Sequence, residues 1–466
     1  MFNAKPLFHV GGLAFALALA IPLAAQAQTY TFAEAVRIAI SANPEMDVAK
    51  ARLMQAQSAL GKANASEMPQ INFSVTGSYS NNALNVFGMK LQQRQATVGD
   101  FGIAEPGAQS ATGLNTGYEP GALNNPGPHS DVNTRIEVLY PVYNGGKVAS
   151  YQKQAREMID AAGNGEVAVE QYLTFGVYQA FEAVHAARSF ITVAEQAKKT
   201  AQEFVRTTEN LVRQGVVVRS ELLSAKVNAS AADVALAQAK GQEQIALDGL
   251  RILMGLQSTD AVDVAERLDI RLPDGDLASI LAHAIDKNPQ LAAQRKQATS
   301  SLYAVDAARA DEKPSFNVMA RQDWNDESIG LESSSYTLAG VFSWKVSDFG
   351  LTENTIKMAQ AEAQQKQAET ASMENKVKFE IMQAWHRLQV AREQVTSSKL
   401  TVEQAVEAQF LVTKRYENGV ATFTELMASQ TQLDKARADL VAAEFEVNVQ
   451  KAKLRLAAGS MDVKQL

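Results

Sequence analysis

Apolar and polar residues alternate with a period of two in four stretches, at about residues 70–80, 132–142, 315–324 and 336–346. This alternation predicts four β-strands, each with one apolar and one polar face. By itself the pattern fits a half-buried soluble sheet more readily than a membrane barrel. Aromatic residues near the strand ends favour the membrane interpretation, because such girdles mark the membrane surfaces of barrels; they are Tyr79, Tyr140, Trp324 and Trp344.

Elsewhere the apolar residues recur at helical spacing. Two proline-free stretches of 68 residues, 147–214 and 351–418, each end at a glycine, Gly215 or Gly419. A 39-residue stretch follows each glycine, so the pattern predicts two long helices that each turn into a shorter return helix. At 1.5 Å per residue the long helices extend about 102 Å and the return helices about 58 Å. Their narrow apolar stripes predict coiled-coil packing with partners on both sides.

The chain is an internal duplication. Matched residues lie 245 positions apart near the start of each copy and 204 apart further on, so the first copy carries 41 extra residues. A fixed internal offset is the signature of repeat architecture. The pairs that mark the repeat are Asn43-Pro44 with Asn288-Pro289, and Gly146 with Gly350.

This repeat sets the predicted domain organisation. The first structural repeat covers 28–255 and the second covers 276–459. A linker or equatorial segment, 256–275, joins them, and a C-terminal tail follows at 460–466. The extra residues fall in 81–131, which is rich in Gly, Asn and Pro and is predicted to be an extracellular loop.

Each repeat opens with a helix. Thr31 and Asp276 are predicted N-caps, and Thr31 with Glu34 forms a capping box. The Asn-Pro pair interrupts that helix, because a residue before proline is driven out of the α region. Asn144 and Asp348 are predicted to cap the two long helices.

The first 27 residues are predicted to be a secretory signal peptide. Lys5 provides a positive start, 7–23 is apolar, and Ala25-Gln26-Ala27 resembles a cleavage site. The alternatives are a buried N-terminal helix or a membrane anchor. After this segment no long uncharged apolar run predicts a transmembrane helix. Periplasmic, secreted and outer-membrane proteins all fit these observations.

Composition argues against several function classes. The chain has no cysteine, which excludes thiol catalysis and zinc-thiolate sites, and its net charge of −7 argues against nucleic-acid binding. No histidine after the signal segment has a partner at metal-ligand spacing, and no phosphate-binding loop is present. We therefore predict that the protein is not an enzyme and needs no metal or cofactor. Those histidines are His129, His185, His283 and His386.

The ordered motifs resemble those of the TolC-type outer-membrane efflux proteins, also called outer membrane factors. The resemblance rests on the two Asn-Pro pairs, the run from Tyr140 to Gly146, and two Gly-x5-Glu-Leu turns that begin at Gly215 and Gly419. It implies a mainly α-helical chain with a β-barrel portion. Three copies would form a 12-stranded outer-membrane barrel on a long periplasmic α-helical barrel. Four strands are too few to close a membrane barrel, so a monomer would be insufficient.

The same resemblance implies a function. The protein would be a passive exit duct of a tripartite efflux or type I secretion system, located in the outer membrane and extending into the periplasm. Its partners would be a periplasmic adaptor, an inner-membrane RND or ABC pump, and outer-membrane lipid. The alternative is a periplasmic coiled-coil adaptor or scaffold, which would leave the four strands unexplained.

The resemblance also implies a periplasmic gate at the glycine turns. Glu221 and Tyr416 match an acidic gate position and its tyrosine partner, and Glu425 matches an acidic constriction. Two positions depart from the family pattern, since Ala421 stands where an arginine is sometimes found and Ala428 stands where a second acid is expected. We therefore expect a ring of three Glu425 carboxylates and a gate held in another way. The simpler interpretation, that both acids only stabilise helix N-termini, stays open.

Overall fold

The computed structural model describes residues 28–272 and 275–463. The predicted signal peptide at 1–27 lies outside the described residues, as do 273–274 of the linker and 464–466 of the tail. Within the described ranges, no helix is both long and apolar enough to cross a membrane.

The described chain is mainly α-helical. Single turns of 3-10 helix lie at Val98–Phe101 and Ala310–Glu312. In chain order, the strands and α-helices are β1 (Gln28–Tyr30), α1 (Phe32–Ala42), α2 (Pro44–Ala65), β2 (Gln70–Ser80), α3 (Ala83–Gln92), β3 (Gln109–Ser110), β4 (Gly113–Leu114), α4 (Gly121–Asn124), β5 (His129–Tyr143), α5 (Lys147–Arg213), α6 (Arg219–Leu253), β6 (Val262–Val264), α7 (Leu277–Lys287), α8 (Pro289–Arg309), β7 (Ser315–Asp326), β8 (Ser334–Ser343), α9 (Leu351–Glu417) and α10 (Phe423–Ala457).

These elements form two compact units, and helices α5, α9 and α10 contribute to both. The first unit contains 28–43, 173–271 and 389–452. The second contains 44–172, the described residues of 272–388, and 453–463. The units therefore combine parts of both sequence repeats.

The first unit has an aromatic core where α1 meets α5. The ring of Phe32 packs edge-on against Tyr178 at 5.7 Å and against Phe181 at 6.1 Å. Tyr178 and Phe181 belong to the apolar stripe visible in the sequence, and both are fully buried. Strand β1 pairs in parallel with β6, a short sheet that the sequence pattern did not predict. Three-residue strands are too short to show a period.

The second unit contains an antiparallel four-stranded sheet in the order β2-β5-β7-β8. Its register places apolar residues opposite one another across all four strands. One such row is Ile71, Val138, Ala320 and Leu338. Positions one residue along each strand lie on the other face, which is polar; a corresponding row is Ser74, Arg135, Asp323 and Ser335.

Two strand predictions need correction. Strand β5 begins at His129, three residues before the predicted start, and a bulge between Pro141 and Tyr143 lies near its end. Strand β8 covers Ser334–Ser343 instead of 336–346, so Trp344 lies just beyond it. There the indole nitrogen of Trp344 donates to the carbonyl of Glu312 at 3.2 Å, which directs the chain away from the ladder.

The predicted loop at 81–131 is also corrected. It contains helix α3, the short β3–β4 hairpin and α4. The side chain of Asn82 accepts hydrogen bonds from the backbone of Leu84 and Asn85, which starts α3, and Val86 and Met89 of this helix are buried. The glycines and prolines that predicted a loop lie mostly outside this helix.

The helix starts follow the capping chemistry of the sequence. Thr31 forms the predicted capping box with Glu34, and Asp276 accepts from the backbone of Ser279 at 3.0 Å. Asp348 accepts from the backbone of Thr352 at 3.0 Å in the first turn of α9. The long helix α5 continues through its interior glycines without a break.

Candidate functional site: the two helix turns

Both long helices end in the same left-handed turn. Gly215 follows α5 with φ 73°, and Gly419 follows α9 with φ 71°. In each turn the amide of the residue after the glycine donates to a helix carbonyl five residues earlier, from Val216 to Leu211 at 2.9 Å and from Val420 to Arg415 at 2.9 Å. This is a Schellman C-cap, which requires a residue that tolerates positive φ.

An apolar cluster joins the two turns within the first unit. Tyr416 is only 1% exposed, and its ring lies 6.0 Å from that of Phe423. Ala421 is buried in the same cluster, so its side chain is used for packing. The buried members are Phe204, Leu211, Ala225, Tyr416, Ala421, Phe423 and Leu426.

A small polar network lies inside this cluster. The hydroxyl groups of Thr208 and Tyr416 share a hydrogen bond of 2.9 Å, and Tyr416 donates a longer bond of 3.4 Å to Glu221. Burial raises the pKa of Tyr416, and the neighbouring Glu221 carboxylate raises it further. Tyr416 therefore stays a neutral donor at physiological pH. It connects the α5–α6 pair to the α9–α10 pair.

Glu425 is arranged differently. It lies in the first turn of α10, where its backbone amide donates to the hydroxyl of Thr422 at 3.2 Å. Its carboxylate lies 3.6 Å from the guanidinium of Arg415, and both side chains are about half exposed. Ala428 is exposed on the same helix.

The structure thus brings together two of the three predicted gate residues. Glu221 and Tyr416 are in contact within one chain, whereas Glu425 bonds to Thr422 and approaches Arg415. Both acids also occupy first helical turns, as the simpler interpretation expects. Sequence reasoning missed Thr208, whose counterpart 204 residues on is the apolar Val412. The signal that could have identified Thr208 is a polar residue at a position that is apolar in the second repeat.

The Asn-Pro joints hold the ends of the return helices. Asn288 ends α7 and caps α8: its Oδ1 accepts from the amide of Leu291 at 3.1 Å, and its Nδ2 donates to the carbonyl of Ala457 at 3.0 Å. Pro289 fills the first turn of α8. In the first repeat, Asn43 donates to the carbonyl of Leu253 at 3.2 Å, and Pro44 begins α2.

The remaining repeat glycines lie just before the long helices. Gly146 and Gly350 adopt positive φ values of 90° and 94°. The repeat counterpart of Gly145 is Phe349, which has a φ of 53° and is fully exposed. A left-handed phenylalanine is uncommon, and its ring stands at the chain surface where β8 leads into α9.

No group of histidine and carboxylate side chains within the described residues has the arrangement of a metal site. The candidate site consists of packed and hydrogen-bonded helix ends.

Comparison with known proteins matches the chain to the model of the outer membrane efflux protein family over residues 35–256 and 280–460. The chain belongs to this family. The two matched segments correspond to the two repeats. Both glycine turns and both Asn-Pro joints lie within the matched residues.

Individual relatives of this efflux family member are distant. The multidrug resistance outer membrane protein MdtP of Shigella flexneri is 29% identical over 153 residues, 33% of this chain and 31% of its own length. The chain thus matches about a third of that relative. Protein CyaE of Bordetella pertussis is 23% identical over 366 residues, which cover 77% of this chain and 76% of CyaE.

Solved structures share the fold. The outer membrane protein VceC from Vibrio cholerae superposes with a TM-score of 0.73 over 92% of this chain and 96% of VceC, at 17% identity. The open state of the Neisseria gonorrhoeae MtrE outer membrane channel gives 0.72 over 93% and 90%, also at 17% identity. At such identities these likenesses establish the architecture of this efflux family member.

Proposed function

We propose that the protein is a passive exit duct in the outer membrane. Substrates would pass through it from the periplasm, or directly from an inner-membrane pump, to the exterior. The observation that carries this proposal is the four-stranded sheet, because its apolar face is exposed on an isolated chain. Ile71 is 70% exposed, Phe73 is 68% and Tyr79 is 74%.

Lipid is the environment that fits this face. Covering one large apolar side chain contributes about 1.5–3 kcal/mol, so a row of them in water is costly. On the same face, the opposite edge strand β8 adds Leu338 and Phe342, which are 72% and 65% exposed. A contiguous apolar patch of this kind marks an interaction surface. The exposed Phe349 and Trp344 fit the aromatic belt expected at a membrane surface.

The edges of the sheet support assembly into a trimer. Strands β2 and β8 are the edge strands, and within the described part of the chain neither has a further strand partner. Unpaired edges are not tolerated in lipid, where no water satisfies the backbone. Pairing β8 of one copy with β2 of the next closes the sheet, and three copies give the 12-stranded barrel of our proposal.

The turn cluster supports a gated duct. We propose that Tyr416 and Glu221 hold the two helix pairs together at the periplasmic end, and that Thr208 contributes to the same closure. Glu425 would supply one carboxylate per chain to a ring, which concentrates cations in a narrow pore. The proposed partners are a periplasmic adaptor and an inner-membrane pump of the RND or ABC class. One relative, AprF of Pseudomonas aeruginosa, is named an alkaline protease secretion protein, and MdtP is named a multidrug resistance protein, so both cargo classes are candidates.

Reconstitution in a planar lipid bilayer tests this function. We expect discrete, small, cation-selective openings from the mature protein, and larger openings after Tyr416→Phe or Glu221→Gln. Tyr172→Phe is the matched control, because Tyr172 is exposed and lies outside the turn cluster. A protein that stays soluble without detergent and gives no conductance would contradict the proposal and favour the periplasmic scaffold instead.

A further inference from the structure

The segment inserted in the first repeat folds back onto the polar face of the sheet. Two residues separate the end of β2 from the start of α3, and Gln92 and Gln93 at the other end of this helix reach the polar residues of β5 and β7. The sequence predicted an extracellular loop at one end of the strands here.

Gln93 attaches this segment to the sheet. Its Nε2 donates to the carbonyl of Ser130 at 2.8 Å and to the carboxylate of Asp131 at 3.0 Å, and its Oε1 lies 2.7 Å from Nε2 of His129. Gln93 is 3% exposed. A buried amide with three partners is a fixed attachment, because breaking it leaves several polar groups unsatisfied.

The attachment continues across β7 to β8. The amide of Asn325 donates to Asp131 at 3.2 Å, the hydroxyl of Ser333 donates to the carbonyl of Gln93 at 2.8 Å, and Arg94 donates to the carbonyl of Ser334 at 2.6 Å. The segment thus crosses the sheet from its β2 edge to its β8 edge. The lengths agree: ten helical residues extend about 15 Å, and three strand spacings measure about 14 Å.

A charged cluster lies next to this attachment on the same polar face. The buried Asp323 binds Arg135 at 2.7 Å and Arg321 at 2.8 Å. Asn133 donates to both Asp323 and Asn325 at 3.2 Å, which links the cluster to the residues that hold Gln93. The position of α3 is therefore fixed by a continuous polar network.

We propose that the inserted segment is an intraluminal collar that limits the size of cargo leaving the barrel. This inference rests on the proposed function, which places the apolar face against lipid and the polar face towards the lumen. Twelve strands about 4.8 Å apart and tilted by about 40° give a circumference of about 75 Å and a diameter of about 24 Å. A helix with its side chains is about 10 Å across, so three inward-lying copies nearly meet at the axis.

Thiol labelling in intact cells tests the collar independently of the periplasmic gate. The chain has no cysteine, so Asn72→Cys places a single thiol on the polar face, paired opposite Glu137. It lies six residues, about 20 Å, along β2 from the level of Asp131. Maleimide-polyethylene glycols of increasing size, which do not cross the outer membrane, are applied from outside.

With the collar in place, we expect the Asn72→Cys thiol to react with small reagents and to be protected from large ones. Adding Gln93→Ala and Arg94→Ala releases the collar, so larger reagents gain access. Gln93→Glu is a second release variant that keeps the size of the side chain but repels Asp131. Gln95→Ala is the matched control, since Gln95 is exposed and follows the attachment.

Equal labelling by large reagents before and after release would overturn the collar while leaving the channel intact. Failure of the proposed function gives a different result. Phe73→Cys lies on the apolar face and should be shielded by lipid, so labelling of Phe73→Cys by the same large reagents would overturn the assignment of the two sheet faces.

Discussion

The bond between Thr208 and Tyr416 gives a quantitative test of the turn cluster. Both side chains are almost fully buried, and their hydroxyl groups are 2.9 Å apart. Tyr416→Phe removes one hydroxyl and leaves that of Thr208 without this partner. An unsatisfied buried polar group costs about 1–3 kcal/mol, which corresponds to an increase of about 5- to 150-fold in the local opening equilibrium.

Hydrogen exchange measured by mass spectrometry reads this opening directly, in peptides that cover 204–226 and 412–427. Exchange reports local opening even where global unfolding is not two-state. Thr208→Val should accelerate exchange by a similar factor. The double variant should recover most of the protection, because replacing both partners with apolar groups of similar shape is nearly neutral. Additive effects, or a change below about twofold in Tyr416→Phe, would refute the buried-network explanation.

Three further outcomes follow from the same geometry and can be measured by thermal or denaturant unfolding followed by circular dichroism. Gly215→Ala should lower the free energy of unfolding by about 1–2 kcal/mol, because alanine must adopt a positive φ there. Gly419→Ala should lower it further, because a Cβ at this position meets a valine methyl at 3.0 Å. Equal losses in the two variants would contradict this explanation. Asn288→Ala should lower the free energy of unfolding by about 2–4 kcal/mol, because it removes one helix cap and leaves one buried carbonyl unsatisfied. Asn288→Asp should keep the contribution of the cap. Burial raises the pKa of Glu182, so the folded state holds its proton more tightly and stability falls as the pH rises above the ordinary value of 4.5. Glu182→Gln should flatten that pH dependence, and an unchanged profile would contradict it.

The small side chains of Ala421 and Ala428 bear on how the turn is held. Ala421 packs inside the apolar cluster, where a long charged side chain would displace its neighbours. Closure in this chain would then rest on apolar packing and on the Thr208–Tyr416 pair more than on ionic links. Channel opening should accordingly depend little on salt, since screening weakens exposed ion pairs and leaves buried packing unchanged.

Much of the local structure was already determined by the sequence. Period-two alternation gave the sheet its two faces, because side chains of a strand point alternately to opposite sides. Glycine at positions 215 and 419 ended the long helices, since few other residues adopt positive φ. The duplication predicted two equivalent sets of turns. These features depend on neighbouring residues, so they can be read from a single chain.

The tertiary structure alone decided which distant residues meet. Nothing in the pattern around 81–131 indicated that Gln93 would bind Asp131 across the polar face, because the partners lie on different elements. Thr208 likewise gained its role only from Tyr416, 208 residues further along the chain. Long-range polar pairs depend on the register and rotation of whole helices and strands. Local periodicity determines the face on which a residue lies, but tertiary packing determines which residue it contacts.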